Sequence, residues 1–246
     1  MTDYREYKMD MKEKEICIAI SGVISGLISY LFYRSIYAAG IFVIIVPIVW
    51  REGTVFCITK RKEQLTLQFK ECIHMIVSSL NAGYSLENAF IEANKDCIVM
   101  YGADALMSME LKYINGQVKL NVPIEKILMD FAKRSDIEEI LSFCEVFQFA
   151  KRSGGDFIKI LKNTASKISE SIEVKNEIET MTASKKMEQS VMNVMPFGIL
   201  LYIDVSSPGF LSALYHNVIG VAVMSACLLV YVAAYFLSRK IVDIQI

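Results

Sequence analysis

The sequence predicts an all-α, polytopic membrane protein with about four transmembrane helices and a cytoplasmic helical-hairpin bundle. Three observations predict it. Two apolar blocks flank a charged middle, almost every positive charge falls on one side of those blocks, and the middle keeps helical spacing throughout. The chain has 246 residues, 54% of them apolar and 22% charged, and its mean hydropathy is +0.38. That apolar share exceeds an ordinary soluble domain and excludes a disordered chain. The net charge of −1 gives no basic excess for nucleic acid.

The first apolar block is residues 16–50, interrupted only by Arg34. One helix of that length would measure about 52 Å, against a hydrocarbon core of ~30 Å. Two spans turning near Arg34 and Ser35 fit better, although the second is short. The alternative is a two-span protein in which 16–50 forms a re-entrant or core hairpin. Fifteen mostly polar residues precede the block and a second apolar run follows at once, so it does not read as a signal peptide. The second block is residues 191–237, with Asp204 and His216 as its only acidic or basic side chains. Ser206-Ser207-Pro208-Gly209 divides it with a turn signal, giving spans near 191–205 and 217–237. Pro196 is expected to kink the third span. Pro208 and Gly209 mark the turn.

Lys and Arg number four in residues 1–15, nineteen in 51–190 and two at 239–240, with one in the first turn and none in the second. The positive-inside rule then makes 1–15, 51–190 and the 238–246 tail cytoplasmic. The division is thus 1–15, a hairpin at 16–50, a bundle at 51–190, a hairpin at 191–237, and the tail.

Within the bundle, Phe69, Cys72, Ile73, Ile76 and Leu80 recur at helical spacing. So do Leu86, Ala89, Phe90 and Ala93, then Ile124, Ile127, Leu128 and Phe131. Ile137, Ile140, Leu141, Cys144 and Phe147 form another stripe, and Ile158, Leu161, Ala165, Ile168 and Ile172 the last. Five or six helices could bury these faces together. Two joints share one pattern. In Asn81-Ala82-Gly83-Tyr84-Ser85, Gly83 supplies a helix-ending conformation and Ser85 a cap. In Arg152-Ser153-Gly154-Gly155-Asp156, Gly154 or Gly155 and Asp156 do the same. The repeat suggests two related helical halves, and Gly154→Val is expected to misfold its hairpin. Pro123 suits the first turn of a helix after Asn121 or Val122. From Asp156 to Gln189 there is no Gly or Pro, so one helix of about 50 Å could run directly into the third span.

Signs of chemistry are few. There is no phosphate-loop motif, and the Gly154-Gly155 pair follows no strand. His74 and His216 are too few and too separated for a histidine-based metal site or triad. His74 reads as a helix-face residue. The cysteines at 17, 57, 72, 97, 144 and 227 form no Cys-x-x-Cys pair and read as small buried apolar residues. The thirteen methionines suit core filling or adaptable contacts. Asp136, Glu138, Glu139 and Glu145 form either a solvated helix face or an acidic patch for a partner or cation. Lys185-Lys186 marks the membrane boundary. Asp204 is an intramembrane or interfacial acid, and such residues are functional candidates. No enzyme activity and no cofactor are expected.

The order of segments carries a resemblance. Leu80-Asn81-Ala82-Gly83-Tyr84-Ser85-Leu86-Glu87-Asn88-Ala89, Arg152-Ser153-Gly154-Gly155-Asp156, the long helix, Met195-Pro196-Phe197 and Ser207-Pro208-Gly209-Phe210-Leu211 follow one another in place. Over about residues 65–242 the chain resembles the type II secretion system F-domain family, most closely the tight-adherence (Tad, or Flp) pilus assembly proteins of the TadB/TadC kind. Asn121 departs from the family's frequent Gly, and Asn tolerates the left-handed conformation. The resemblance implies a platform in the bacterial inner membrane. A separate hexameric cytoplasmic secretion ATPase would dock on the helical domain, and pilin subunits would pass from membrane to fibre. It also implies an oligomer with a paralogous platform protein. One helical domain favours the Tad branch, and Ser238-Arg239-Lys240-Ile241 leans toward the B-type. The rival readings are a small four-span transporter or channel and a membrane signalling scaffold.

Overall fold

The computed structural model describes residues 4–5, 11–33, 42–153, 156–207 and 218–242. Among these every regular element is helical. α1 (Met11–Ile28) ends in a π-helical turn (Ser29–Tyr33) and is followed by α2 (Phe42–Asn81), α3 (Leu86–Tyr101) and α4 (Leu106–Lys119). Then come α5 (Ile124–Ser135), α6 (Glu138–Ser153), α7 (Phe157–Ser206) and α8 (Val218–Val242). The chain divides into two compact units, Met1–Lys8 with Thr54–Val174, and Met9–Gly53 with Lys175–Ile246. The first unit therefore takes in the chain start and ends at Val174, where the charge pattern alone drew 51–190.

The first unit is a bundle of α3 to α6 with parts of α2 and α7. Its core runs through a chain of aromatic contacts. Phe131 of α5 lies 6.3 Å from Phe69 of α2, which meets Phe143 of α6 edge-on at 5.5 Å. Phe147 continues from Phe143 at 6.1 Å and touches Phe90 of α3 at 6.4 Å and Phe157 of α7 at 5.4 Å. Leu161, Ala165, Ile168 and Ile172 bring the first turns of α7 into the same core. The apolar stripes are buried as their spacing requires, except that Leu86 and Ile158 are half-buried at the edge of the core and Leu141 is 38% exposed. Polar bonds fasten α7 to α2 at the rim, where Lys70 meets Glu173 at 2.7 Å and His74 Nε2 meets Ser169 Oγ at 2.7 Å.

The helix ends follow from local chemistry. After α2, Gly83 N–H bonds Leu80 O and Tyr84 N–H bonds Ser79 O, with Gly83 at φ +90°. This closes two of the carbonyls a helix end leaves open, and the left-handed φ favours a residue without Cβ. After α4, Asn121 (φ +60°) does the same, its N–H bonding Val118 O while Val122 N–H bonds Gln117 O. Pro123 stands at the N-cap of α5, one position before the first helical turn. Ala105 caps α4 without a side-chain bond. Gln68 of α2 supplies the acceptor instead, taking Met107 N–H at 3.0 Å.

In the second unit Leu31 and Met224 are buried among Ile28, Phe197, Leu200, Ile203 and Leu228. Pro196 lies inside α7 and lacks the N–H that would bond Met192 O. One residue further, Tyr231 Oη of α8 donates to Asn193 O at 2.9 Å, and its ring packs edge-on against Phe197 at 5.3 Å. Two stretches are long and apolar enough to cross a membrane, Glu13–Leu31 and Ile219–Ser238. They fit a membrane protein by length and composition. The further spans at 36–50 and 191–205 belong to the proposal below.

Candidate functional site

The structure distributes the sequence-derived candidates over several places. Gly83 forms the α2–α3 joint just described. Ser85 Oγ accepts from Asn88 N–H at 3.4 Å, a long capping bond at the start of α3. Asp156 caps α7, its Oδ1 accepting from Lys159 N–H at 3.2 Å and its carbonyl from Ile160 N–H at 3.0 Å. Gly154 and Gly155 lie outside the described residues, as do Pro208, Gly209 and the Arg34-Ser35 turn.

The four acids do not act alike. Asp136 ends α5 at φ +53° and pairs with Lys62 at 2.8 Å and Arg5 at 3.6 Å. The Lys62 ammonium holds this carboxyl below the usual range. Glu138 and Glu139 occupy the first turn of α6, where the helix dipole favours acids. Glu145 is exposed further along α6. Among the described residues no three His, Cys, Asp or Glu side chains converge to hold a metal ion. Asp204 is half-buried on α7 and accepts a bond from Tyr30 Oη at 3.1 Å, which ties the π-helical turn to that helix.

Cys72, Cys97 and Cys144 are buried, Cys17 and Cys57 half-buried, and Cys227 exposed. The reading of all six as buried apolar residues therefore fails at Cys227, which is exposed on α8, and holds only in part at Cys17 and Cys57. Burial pushes the Cys72 thiol far up and that of Cys144 up to about 12. Such thiols stay protonated and unreactive.

The densest polar cluster was not foreseen. Glu110 of α4 is only 3% exposed. Arg134 of α5 grips it with two bonds, Nη1 to Oε1 at 3.1 Å and Nη2 to Oε2 at 2.9 Å, while Arg134 Nε donates to Asp130 at 2.8 Å. Tyr4, from outside any helix, is buried beside them. Its Oη donates to Glu110 Oε1 at 3.0 Å and its N–H to Arg134 O at 3.1 Å. The Arg61 guanidinium of α2 lies 5.0 Å from the centre of its ring. Burial, then the Glu110 charge, pushes the Tyr4 phenol well above its ordinary value, so it remains a hydrogen-bond donor. A lone Tyr in the polar stretch Asp3-Tyr4-Arg5-Glu6 carries no periodic signal. The only sequence hint was an acid at position 110 between apolar Met107, Leu111 and Ile114.

The polar groups brought together by the fold thus join helices to one another. No family model, no curated protein and no solved structure matches this chain.

Proposed function

We propose that the chain is the inner-membrane platform of a Tad- or type II secretion-like pilus assembly machine. In this reading it has four spans, with its termini and the bundle in the bacterial cytoplasm. The bundle receives a separate secretion ATPase, and the membrane part handles pilin subunits beside a paralogous platform protein.

The observation that supports this most is the continuity of α7. One helix buries Leu161, Ala165, Ile168 and Ile172 in the bundle and then carries Val191, Met195 and Ile199 exposed on an apolar segment. A platform needs such an element, because ATP-driven movement at the bundle has to reach the membrane through covalent structure. α2 has the same composition in reverse, with an apolar start and a bundle-forming end.

Affinity purification of the tagged protein from its native membrane, followed by mass spectrometry, tests the reading. Recovery of a secretion-type ATPase with a second four-span protein of similar pattern is the expected result. Recovery of neither, under conditions that preserve other membrane complexes, overturns it and favours a stand-alone transporter or scaffold.

A further inference from the structure

We propose that the end of the bundle formed by the α2–α3, α4–α5 and α6–α7 joints is the docking face for the secretion ATPase, which meets it with an acidic surface around an apolar recess. The inference rests on the platform reading and adds to it where the contact is made and what its other side carries.

Contacts between neighbouring helices put these three joints at one end. Asn115 Nδ2, late in α4, donates to Phe90 O at the start of α3 at 3.1 Å. Lys151, late in α6, meets Glu125 in the first turn of α5 at 2.8 Å. Phe147 touches both Phe90 and Phe157, so the starts of α3 and α7 lie level with the last turns of α6. The α3–α4 and α5–α6 joints lie at the other end, where Gln68 takes Met107 N–H and Lys62 meets Asp136. Thr54 and Val174, which bound the helical part of this unit, lie toward that other end as well, Glu173 pairing with Lys70.

At the joint end Tyr84, Leu120 and Phe149 are 49%, 71% and 67% exposed. A single exposed apolar side chain is ordinary, but three from three elements, set among charges, have the composition of an interface. Tyr84 and Leu120 stand on fixed backbone, with Tyr84 N–H on Ser79 O at 3.2 Å and Leu120 N–H on Gln117 O at 3.0 Å. Anchors already held in place lose little freedom on binding. The surrounding charge is basic. Residues 79–88, 117–126 and 149–162 hold six Lys or Arg and three acids, although the whole chain carries −1. All six bases are exposed. Of the acids, Asp156 caps α7 and Glu125 turns to Lys151. Two such ends repel each other, which disfavours a second copy of this chain end to end. A lipid surface is disfavoured because the apolar unit joins the bundle at the other end. An acidic protein surface fits, and its approach would be steered by charge.

The test purifies the tagged full chain from its native membrane and quantifies the ATPase that accompanies it by mass spectrometry. Lys119→Glu with Lys126→Glu should lower ATPase recovery roughly ten-fold, and Leu120→Ala with Phe149→Ala by a similar factor. Both pairs should melt with the parent, since all four side chains are exposed. Glu138→Gln with Glu139→Gln, at the other end, should leave recovery unchanged. Recovery with the parent should also fall as salt is raised. Undiminished recovery with both joint-end pairs, or an equal loss with the Glu138 and Glu139 pair, overturns the inference and leaves the platform reading standing. A parent that brings down no ATPase overturns that reading and the inference with it. Should either joint-end pair melt below the parent, p-benzoyl-phenylalanine in place of Leu120 gives a direct readout. A light-induced crosslink to an acidic segment of the ATPase supports the inference. A crosslink to lipid, or none to the ATPase while the ATPase is recovered, overturns it.

Discussion

Arg134→Ala should be among the most damaging single polar substitutions in the bundle. It removes two bonds of 2.9 and 3.1 Å from a carboxylate that is 3% exposed. Breaking a buried ion pair by deleting one partner costs about 3–5 kcal/mol, chiefly because the remaining charge is stranded. Here the Tyr4 hydroxyl still donates to Glu110, and the Arg134 side chain is 16% exposed, so the lower end, about 3 kcal/mol, applies. For a unit of this size that is a fall of roughly 6–12 °C in the melting midpoint. Heating the full chain in detergent with a fluorogenic maleimide reads it directly, because Cys72, Cys97 and Cys144 react only when the bundle opens. Exposed Cys227 and half-buried Cys17 and Cys57 set the starting signal. Adding Glu110→Gln to Arg134→Ala should recover part of the loss, since the stranded group is then neutral. A single variant melting within about 2 °C of the parent would refute the argument, because Glu110 would then not depend on Arg134.

The same melt checks three further expectations. Gly83→Val should cost about 1–2 kcal/mol through its φ of +90°, since nothing lies within 4 Å of the added Cβ; Gly83→Asn should cost less, and equal costs would remove the backbone explanation. Phe147→Ala should cost about 3–5 kcal/mol, while Phe149→Ala, 67% exposed two residues away, should stay within about 0.5 kcal/mol; similar losses would mean the wrong face of α6 is buried. Asp136→Asn should cost at most about 1 kcal/mol, because the Lys62 pair is half exposed. The folded carboxyl is held low by Lys62, so its contribution is present above the unfolded value near ~3.9 and disappears as pH falls through the lower folded value. The gap between parent and Asp136→Asn should therefore close as the medium is acidified below the unfolded value and through the lower folded one; a gap independent of pH would assign the stability to something other than the charge.

The helices of the bundle were readable where one face is purely apolar. Ile124, Ile127, Leu128 and Phe131 recur at helical spacing and all are buried. α4 gave no such stripe because its inner face includes Ser108 and Glu110. Both are satisfied by distant groups, Ser108 Oγ by donating to Cys97 Sγ at 3.3 Å and Glu110 by Tyr4 and Arg134. Spacing records what is apolar, whereas a buried polar residue is legible only with its partner. The boundary at Trp50 and Arg51 reflects a change of charge, yet α2 continues through it. A change of charge is not itself a helix stop, and α2 also runs through Pro47 and Gly53 on either side of the boundary. Leu141 followed its stripe by spacing but faces outward, since a helix face wider than the contact leaves residues at its edge. The Gly83 joint was legible because its chemistry is local.

The two units place opposite demands on their solvent. The bundle gathers Phe69, Phe90, Phe131, Phe143 and Phe147 in one core and, Glu110 apart, keeps the charges of its described residues out of it. The other unit leaves Val191, Met195 and Ile199 on α7 and Leu229, Val230 and Phe236 on α8 exposed. In water such faces are an aggregation liability, whereas in hydrocarbon they need no cover. Hydrocarbon would demand instead that polar groups find partners within the protein. Ser21 Oγ donates to Cys17 O at 2.7 Å, Tyr30 to Asp204 at 3.1 Å and Tyr231 to Asn193 O at 2.9 Å. The last of these bonds lies beside the gap that Pro196 makes in the α7 ladder, where a soluble helix would recruit water. Ser25 Oγ is the exception, buried without a partner. Apolar side chains outside and paired polar groups within are what lipid solvation of this unit would require, and they fit the two stretches Glu13–Leu31 and Ile219–Ser238 that are long and apolar enough to cross a membrane.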